Sequence, residues 1–471
     1  MSLNLKAHKP VRNLNKAMIF QLLILGVLIW WAGNVVYSLF FSPLKDIPGP
    51  LLLQVFPLYY RFRLGRGESA FLFEDYHQIY GPVFRIGWHY VVFTDPAASM
   101  EIYSTYKFNK TDEYSVFEYH GKNLLSIRNR EDHALRRRQM ALAFTKQNVA
   151  LMEPTIVSEG MVPLLGNFSK AVGTSIDVFH QFHYFSWDVV GKLAFGKSFN
   201  MLKKGKHHDA VYWMNATMFF GFLCNNFPFL QRFSVPVGEK LRKLISDSLG
   251  PQPTSEVFKD SSLGREEMVA ESFVQLFAGT DTTSNTMAWF FYLVAKHPRV
   301  EAKLMEELRA TGILEKEGMV SLSDFSDKLP YFEATLKEAM RVLPVVSLTP
   351  WRVVPEGGRH IKGHFIPEGK FVGVALLSLN RSPEIWDEPN LFIPERWENF
   401  KPREGSFIPF LIGPRACLGK YLALLKLRLV LVNVMKKFRL TLPKDMEAME
   451  FDSFPTLKPR SNRLIMKIEL R

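Results

Sequence analysis

Cysteine is nearly absent from this chain: Cys224 and Cys417 are the only two in 471 residues. At most one disulfide can form, so a disulfide framework is excluded and the count fits a reducing compartment. Internal repeats and low-complexity runs are also missing, which excludes a solenoid and, at 47% hydrophobic residues, a disordered chain. The formal net charge of +13 comes with no zinc-finger spacing, RNA-binding signature or short-period basic arm, so nucleic acid is set aside as a partner. An anionic membrane surface or an acidic protein remains to explain it. No glycine-rich dinucleotide fingerprint or flavodoxin-like stretch is present either, so redox chemistry here must draw its electrons from another molecule.

Charge itself is missing from Ala17 to Phe41, a run of 25 residues. That is slightly more than the ~20 a helix needs to cross a bilayer, and no small-x-small cleavage site follows. The segment is read as a single-pass anchor, after a tail at 1–16 and before a proline-rich hinge at 42–50. Pro43, Pro48 and Pro50 stiffen that hinge and set the anchor apart from a domain spanning 51–471. Lys6, Lys9, Arg12 and Lys16 outnumber the basic residues just after the anchor, which by itself predicts a cytoplasmic amino terminus and a lumenal domain.

Periodicity predicts a mainly α protein with small β-sheets, an α+β arrangement. Residues 81–95 read as two short strands turning near Gly87, and 265–298 as a long buried helix ended by His297-Pro298. Residues 329–343 read as a second helix opened by Pro330. The segment from Arg359 to Leu376 reads as strand, turn and strand, and the turn-rich 246–264 as a surface connection.

Cys417 lies in "FLIGPRACLGKYLALLKL", between glycines and just before an apolar helix. A thiolate can be a nucleophile, a zinc ligand or an axial haem ligand. A nucleophile wants a nearby histidine base and zinc wants further cysteines or histidines, and neither surrounds Cys417. Haem ligation suits the surroundings: Gly413 and Gly419 permit a tight loop, Arg415 is placed for a propionate, and Phe410 for shielding the sulfur. A buried free cysteine at a helix start is the bland alternative.

Phe410-x-x-Gly413-x-Arg415-x-Cys417-x-Gly419 resembles the haem-binding signature of the cytochrome P450 superfamily at all five fixed positions. Glu338-x-x-Arg341 followed by Arg396 resembles the same superfamily's buried ion network, and Ala278-Gly279-Thr280-Asp281-Thr282-Thr283 its oxygen-activation segment. The resemblance covers roughly 43–471. It implies the superfamily's fold with an amino-terminal transmembrane helix, haem b on Cys417, and a glycine, Gly279, that lets haem and O2 approach. It also implies proton delivery by Asp281 and Thr282, and propionate contacts from Arg415, His133, Arg137 and Arg352. His133 stands where many members carry tryptophan, Lys426 where they carry glutamate, and the connection at 238–263 looks short.

The implied reaction is insertion of one atom of O2 into a lipophilic small molecule, in fungal secondary metabolism, with Phe117, Phe277 and residues 343–351 lining the pocket. A haem-thiolate isomerase or peroxygenase and a non-catalytic haem-binding protein are the alternatives. Electrons would come from NADPH through NADPH-cytochrome P450 reductase, with cytochrome b5 as a further donor. The acid-free stretch from Gly405 to Lys444, with Arg415, Lys420, Lys426, Arg428, Lys436, Lys437, Arg439 and Lys444, offers a basic docking face. That donor implies an endoplasmic reticulum membrane protein with a cytosolic domain, opposite to the charge count. Sequons at Asn109, Asn167, Asn215 and Asn380 allow a check of the orientation.

Overall fold

Residues 16–118, 121–226, 262–325, 327–443 and 449–471, with positions 230 and 243, are described by the computed structural model. Helix α1 (Lys16–Val36) carries the predicted anchor, and its side chains from Met18 to Ile29 are exposed apolar groups. Helices α2 (Arg130–Ala141), α3 (Val178–Phe195), α4 (Arg265–Lys296), α5 (Pro330–Val342) and α6 (Lys420–Lys437) frame the domain. Most of the predicted surface connection at 246–264 lies outside the described residues.

Helix α4 is 32 residues long and forms the spine. The Gly264 amide donates to the Glu267 carboxylate at its start, and His297 ends it ahead of Pro298, as the sequence predicts. Met287 to Val294 are buried without interruption, because α3 lies against one side and α5 and α6 against others. Phe182 of α3 stacks on Phe291 of α4 with ring centroids 5.7 Å apart. Pro330 opens α5, whose first amides, Tyr331 and Phe332, both donate to the Glu307 carboxylate.

A five-stranded sheet forms the second layer, from β1 (Val83–Ile86), β2 (Tyr90–Phe93), β3 (Asn109–Lys110), β4 (Arg352–Val353) and β5 (Phe371–Val374). Its order is β1-β2-β5-β4-β3, with β2 and β5 parallel and the other neighbours antiparallel. Gly87 at positive φ makes the predicted turn between β1 and β2. The stretch read as one strand-turn-strand unit divides: 359–361 and 364–366 form a separate hairpin, while β5 joins the large sheet. A three-stranded sheet (175–177, 465–470, 438–441) closes the carboxy-terminal end.

The hinge departs from its reading as a spacer. Leu44 and Ile47 are buried, the Arg85 amide donates to the Pro48 carbonyl at 2.8 Å, and the Arg85 guanidinium donates to the Ser38 carbonyl at 2.9 Å. A Cβ at Gly49 would lie 2.2 Å from the Arg85 carbonyl oxygen, so only glycine passes there. The anchor is tied too: the Trp31 indole donates to the Val55 carbonyl at 2.7 Å, and the Trp30 ring meets Trp88 edge-on. Burial of apolar hinge residues between prolines outweighs the extended backbone preference from which separation was inferred.

Candidate functional site

The Cys417 loop is shaped by backbone before any side chain acts. The Cys417 amide donates to the Phe410 carbonyl at 2.8 Å, closing the turn. Gly413 has φ +70°, and a Cβ there would sit 2.3 Å from the Tyr103 carbonyl oxygen. The loop therefore requires that glycine. Cys417 has accessible surface yet is surrounded by protein: burial pushes its thiol pKa up, against smaller lowering effects of the Gly419 backbone, Arg137 and Lys420. A thiolate at this position needs a stronger cation than these. Among the described residues no three His, Cys, Asp or Glu side chains gather as a metal-binding group.

Beside this loop three arginines, a lysine and a histidine converge. The Arg415 guanidinium donates to the carbonyls of Ile127 and Arg128 at 3.1 and 2.6 Å, while its Nε is buried without a partner. Arg137 donates to the Ala416 carbonyl at 2.6 Å. Arg352 is buried against Tyr103 and Tyr114, donating to the Tyr114 hydroxyl and the Trp351 carbonyl. His133 meets the Tyr106 hydroxyl at 3.0 Å, and α2 presents it beside Arg137 as the i, i+4 spacing predicts. The fifth is Lys110, which sequence reading missed; its ammonium donates to the carbonyls of Leu124 and Leu125.

These cations oppose one another. Burial, then Arg352, Arg415 and Arg137, hold Lys110 well below the usual lysine range. Burial and the same group push His133 down to about 2, and burial and Arg352 bring Arg415 down to about 10. Glu271, the carboxylate that reaches Lys110, is already engaged by Arg136 and the Leu124 amide at 2.8 Å each. Lys110, Arg137, Arg352 and Arg415, held against carbonyls and one another, with the neutral His133 imidazole beside them, form a receptor for a dianion.

The helix α4 segment Gly279–Thr283 interrupts an apolar helix. The Thr282 hydroxyl donates to the Ala278 carbonyl at 2.7 Å, and Asp281 turns toward His183 of α3. A Cβ at Gly279 would meet Val190 of α3 at 3.2 Å, so its small size serves the helix crossing. The predicted pocket rings do meet, Phe117 and Phe277 having centroids 5.5 Å apart.

Lys426 is the departure whose weight the sequence concealed. It is buried on α6, and its ammonium donates to the Gly279 carbonyl at 2.6 Å. Burial brings its pKa from 10.5 down to about 7. Between those two values the unfolded chain holds a proton that the folded one lacks, so this lysine's contribution makes stability rise with pH across the window, and its full penalty stands below pH 7. Lys426→Met is expected to raise stability by on the order of 3 kcal/mol at pH 6.5, with the gain fading toward pH 10. Thermal unfolding at several pH values checks this; a gain independent of pH would contradict it.

The expected basic docking face is reduced. Arg415 and Lys426 are buried, Arg428 is paired with Glu333 at 2.5 Å and Arg439 with Glu301 at 3.2 Å, leaving Lys420, Lys436 and Lys437 as the surface cations of that stretch. Lys444 lies outside the described residues. Helix α6 spreads successive residues round its axis at about 3.6 per turn, so a run without acids is not one face.

The remaining motif closes completely. Glu338, fully buried, accepts from Arg341 through both oxygens (2.7 and 2.9 Å), from Arg396 at 2.9 Å, from the Ile393 amide at 3.0 Å and from the Trp397 indole at 2.8 Å. Arg341 spends its other donors on the carbonyls of Asn380, Pro389 and Leu391. The i, i+3 pair from the sequence and its distant arginine are thus one network.

A lone sulfur in a glycine-shaped loop, a dianion receptor beside it and a polar break in the long helix α4 are the features of a haem-thiolate protein. The chain belongs to the cytochrome P450 family, whose model matches residues 47–251 and 239–466. The two matches meet within the connection read as short. The chain is 30% identical to the cytochrome P450 monooxygenase tpeC of Talaromyces stipitatus over 89% of its own length and 88% of the relative's. It is 28% identical to the averantin hydroxylase of Dothistroma septosporum (88% and 84% covered) and 28% to the trichothecene C-15 hydroxylase of Fusarium sporotrichioides (87% and 89%). It is therefore a monooxygenase of mainly helical fold, and the family implies haem, O2, an external redox partner and a lipophilic substrate. The residues fit that cofactor: the receptor suits two propionates, and the sulfur needs the cation that iron supplies.

Proposed function

We propose that this protein hydroxylates a lipophilic secondary metabolite, anchored by α1 in the endoplasmic reticulum with its domain in the cytosol. The electrons come from NADPH through NADPH-cytochrome P450 reductase, with cytochrome b5 as a further donor. The observation that carries this reading is the cluster of Lys110, His133, Arg137, Arg352 and Arg415 beside Cys417. Haem b, when bound, supplies activation of O2 for insertion into a C–H bond. Cys417 would hold its iron, and the four cationic side chains with the His133 imidazole its propionates. Phe410 is half-buried beside the loop and limits water at the sulfur. Phe117 and Phe277 present an apolar wall to the substrate. Asp281 and Thr282 hold the protons that oxygen activation consumes, Asp281 at its carboxylate and Thr282 at its hydroxyl. Relatives named as hydroxylases of averantin and of the trichothecene C-15 position support a polycyclic or terpenoid-like skeleton as substrate.

Thr282→Ala is expected to keep the carbon-monoxide spectrum while lowering product per NADPH about tenfold or more, the missing electrons leaving as hydrogen peroxide. With reductase and 7-ethoxycoumarin as probe, product, NADPH and peroxide are counted together. Unchanged coupling would remove Thr282 from proton delivery. The orientation has its own test. Asn380 is buried and the Asn167 amide is engaged by Gln181 and the Leu202 carbonyl, so Asn109 and Asn215, both exposed, are the informative sequons. Both are expected to stay unglycosylated in cells; sugar on either places the domain in the lumen.

A further inference from the structure

His183 and Asn285 fix a proton that nothing in the motif reveals. The Asn285 side-chain nitrogen donates to the Leu457 carbonyl at 3.0 Å and to the Thr456 hydroxyl at 3.2 Å. A backbone carbonyl only accepts, so the orientation of the Asn285 amide is set and its Oδ1 must accept. That oxygen lies 2.9 Å from His183 Nε2, which therefore carries hydrogen. In a neutral imidazole Nδ1 is then a bare lone pair, and it faces the Asp281 carboxylate at 3.7 Å. Two acceptors facing each other in a half-buried place repel unless one proton belongs to the pair.

We propose that His183 is a positioning residue that stores the proton of Asp281 and reloads it; this rests on the reading of Asp281 as the proton-delivering acid. In the loaded state Nδ1 is protonated and Asp281 is a carboxylate. The Nδ1–H bond breaks, its proton forms an O–H bond on Asp281, and the imidazolium becomes neutral imidazole with Nε2–H kept on Asn285. The neutral ring then takes one proton from solvent, so nothing is oxidised or reduced.

The surroundings provide the route and the balance. His180, one turn earlier on α3, is partly exposed and paired with Asp177 at 3.0 Å, and His207 lies edge-on to it with centroids 4.8 Å apart. The Phe179 ring covers His183 at 4.5 Å. Burial lowers the His183 pKa; Asp281 and Asn285 of α4 oppose this, while His180 on its own helix and Lys458 from the strand at 457–459 add to it. His207 also couples to the pair and is itself brought down to about 4, mainly by burial. The acid is thus addressed from the side of α3 that reaches solvent.

The test uses full-length, haem-loaded protein with His183→Gln, which keeps an amide donor for Asn285 but carries no proton. The first readout is the infrared carboxylic-acid band of Asp281, identified by its loss in Asp281→Asn. With no imidazole proton to share, that band is expected to differ between His183→Gln and wild type in the pH at which it appears. The second is product per NADPH from 7-ethoxycoumarin against pH: wild type loses coupling on the alkaline side, and His183→Gln is several-fold lower and flat, with the carbon-monoxide spectrum retained. A wild-type profile without an alkaline limb overturns the proposal, a result needing no variant. So does an infrared midpoint that His183→Gln leaves in place. If Asp281→Asn keeps full coupling, the reading of Asp281 falls instead, whatever His183 does.

Discussion

Cys417→Ala is expected to abolish the strongly red-shifted Soret band of the reduced, carbon-monoxide-treated protein, and all monooxygenase activity with it. Alanine is the informative choice because the loop does not depend on the sulfur. Its closing hydrogen bond runs from the Cys417 backbone amide to Phe410, and its tight corner is set by Gly413 against Tyr103. The fold should survive while the ligand is lost. Cys224, the other cysteine, is buried in the helix at 209–226 and offers no substitute. Cys417→His gives a second arm: an imidazole in the same loop is expected to move the band to the position of a nitrogen ligand. A red-shifted band surviving in either variant would place the iron elsewhere and remove the basis of the proposed chemistry.

The second large effect is on stability. Glu338→Gln should lower unfolding stability by about 3 to 5 kcal/mol, since it leaves Arg341 buried with its charge uncompensated. The carboxylate accepts five hydrogen bonds, and an amide nitrogen placed among those donors must oppose at least one of them. Replacing both partners, Glu338→Leu with Arg341→Met, should recover part of the loss, because an apolar pair has no charge to strand. Denaturant unfolding of Glu338→Leu, Arg341→Met and the double variant measures the coupling. If the double variant is as unstable as the sum of its parts, the network acts through shape and not through charge.

Features set by short spacings were legible in the sequence. A loop whose glycines, arginine and cysteine lie within ten residues has almost no freedom to place them elsewhere, and the Glu338–Arg341 pair is one helical turn. Long apolar α4 was legible for a related reason, since a helix that is apolar all round must be enclosed. What failed to show were contacts between distant segments. Lys110 sits on a two-residue strand that carries no sign of its burial, and His183 is one histidine on an aromatic helix until Asn285 gives it a tautomer. Lys426 could be recognised as unusual but not as buried, because its neighbours on α6 set the register only once α4 is packed against it. The basic stretch misled in the opposite direction: counting charges along a chain ignores the carboxylates of Glu301 and Glu333 that arrive from other helices.

The docked hinge has a mechanical reading. With Arg85 holding the backbone at Ser38 and Pro48, and Trp31 holding Val55, the proposed membrane helix and the catalytic body form one lever. Any lean that the helix adopts to match the thickness of its bilayer is passed to the body, which then tips toward or away from the headgroups. Lipid composition would thereby set how closely an oily substrate dissolved in the leaflet can approach the enzyme.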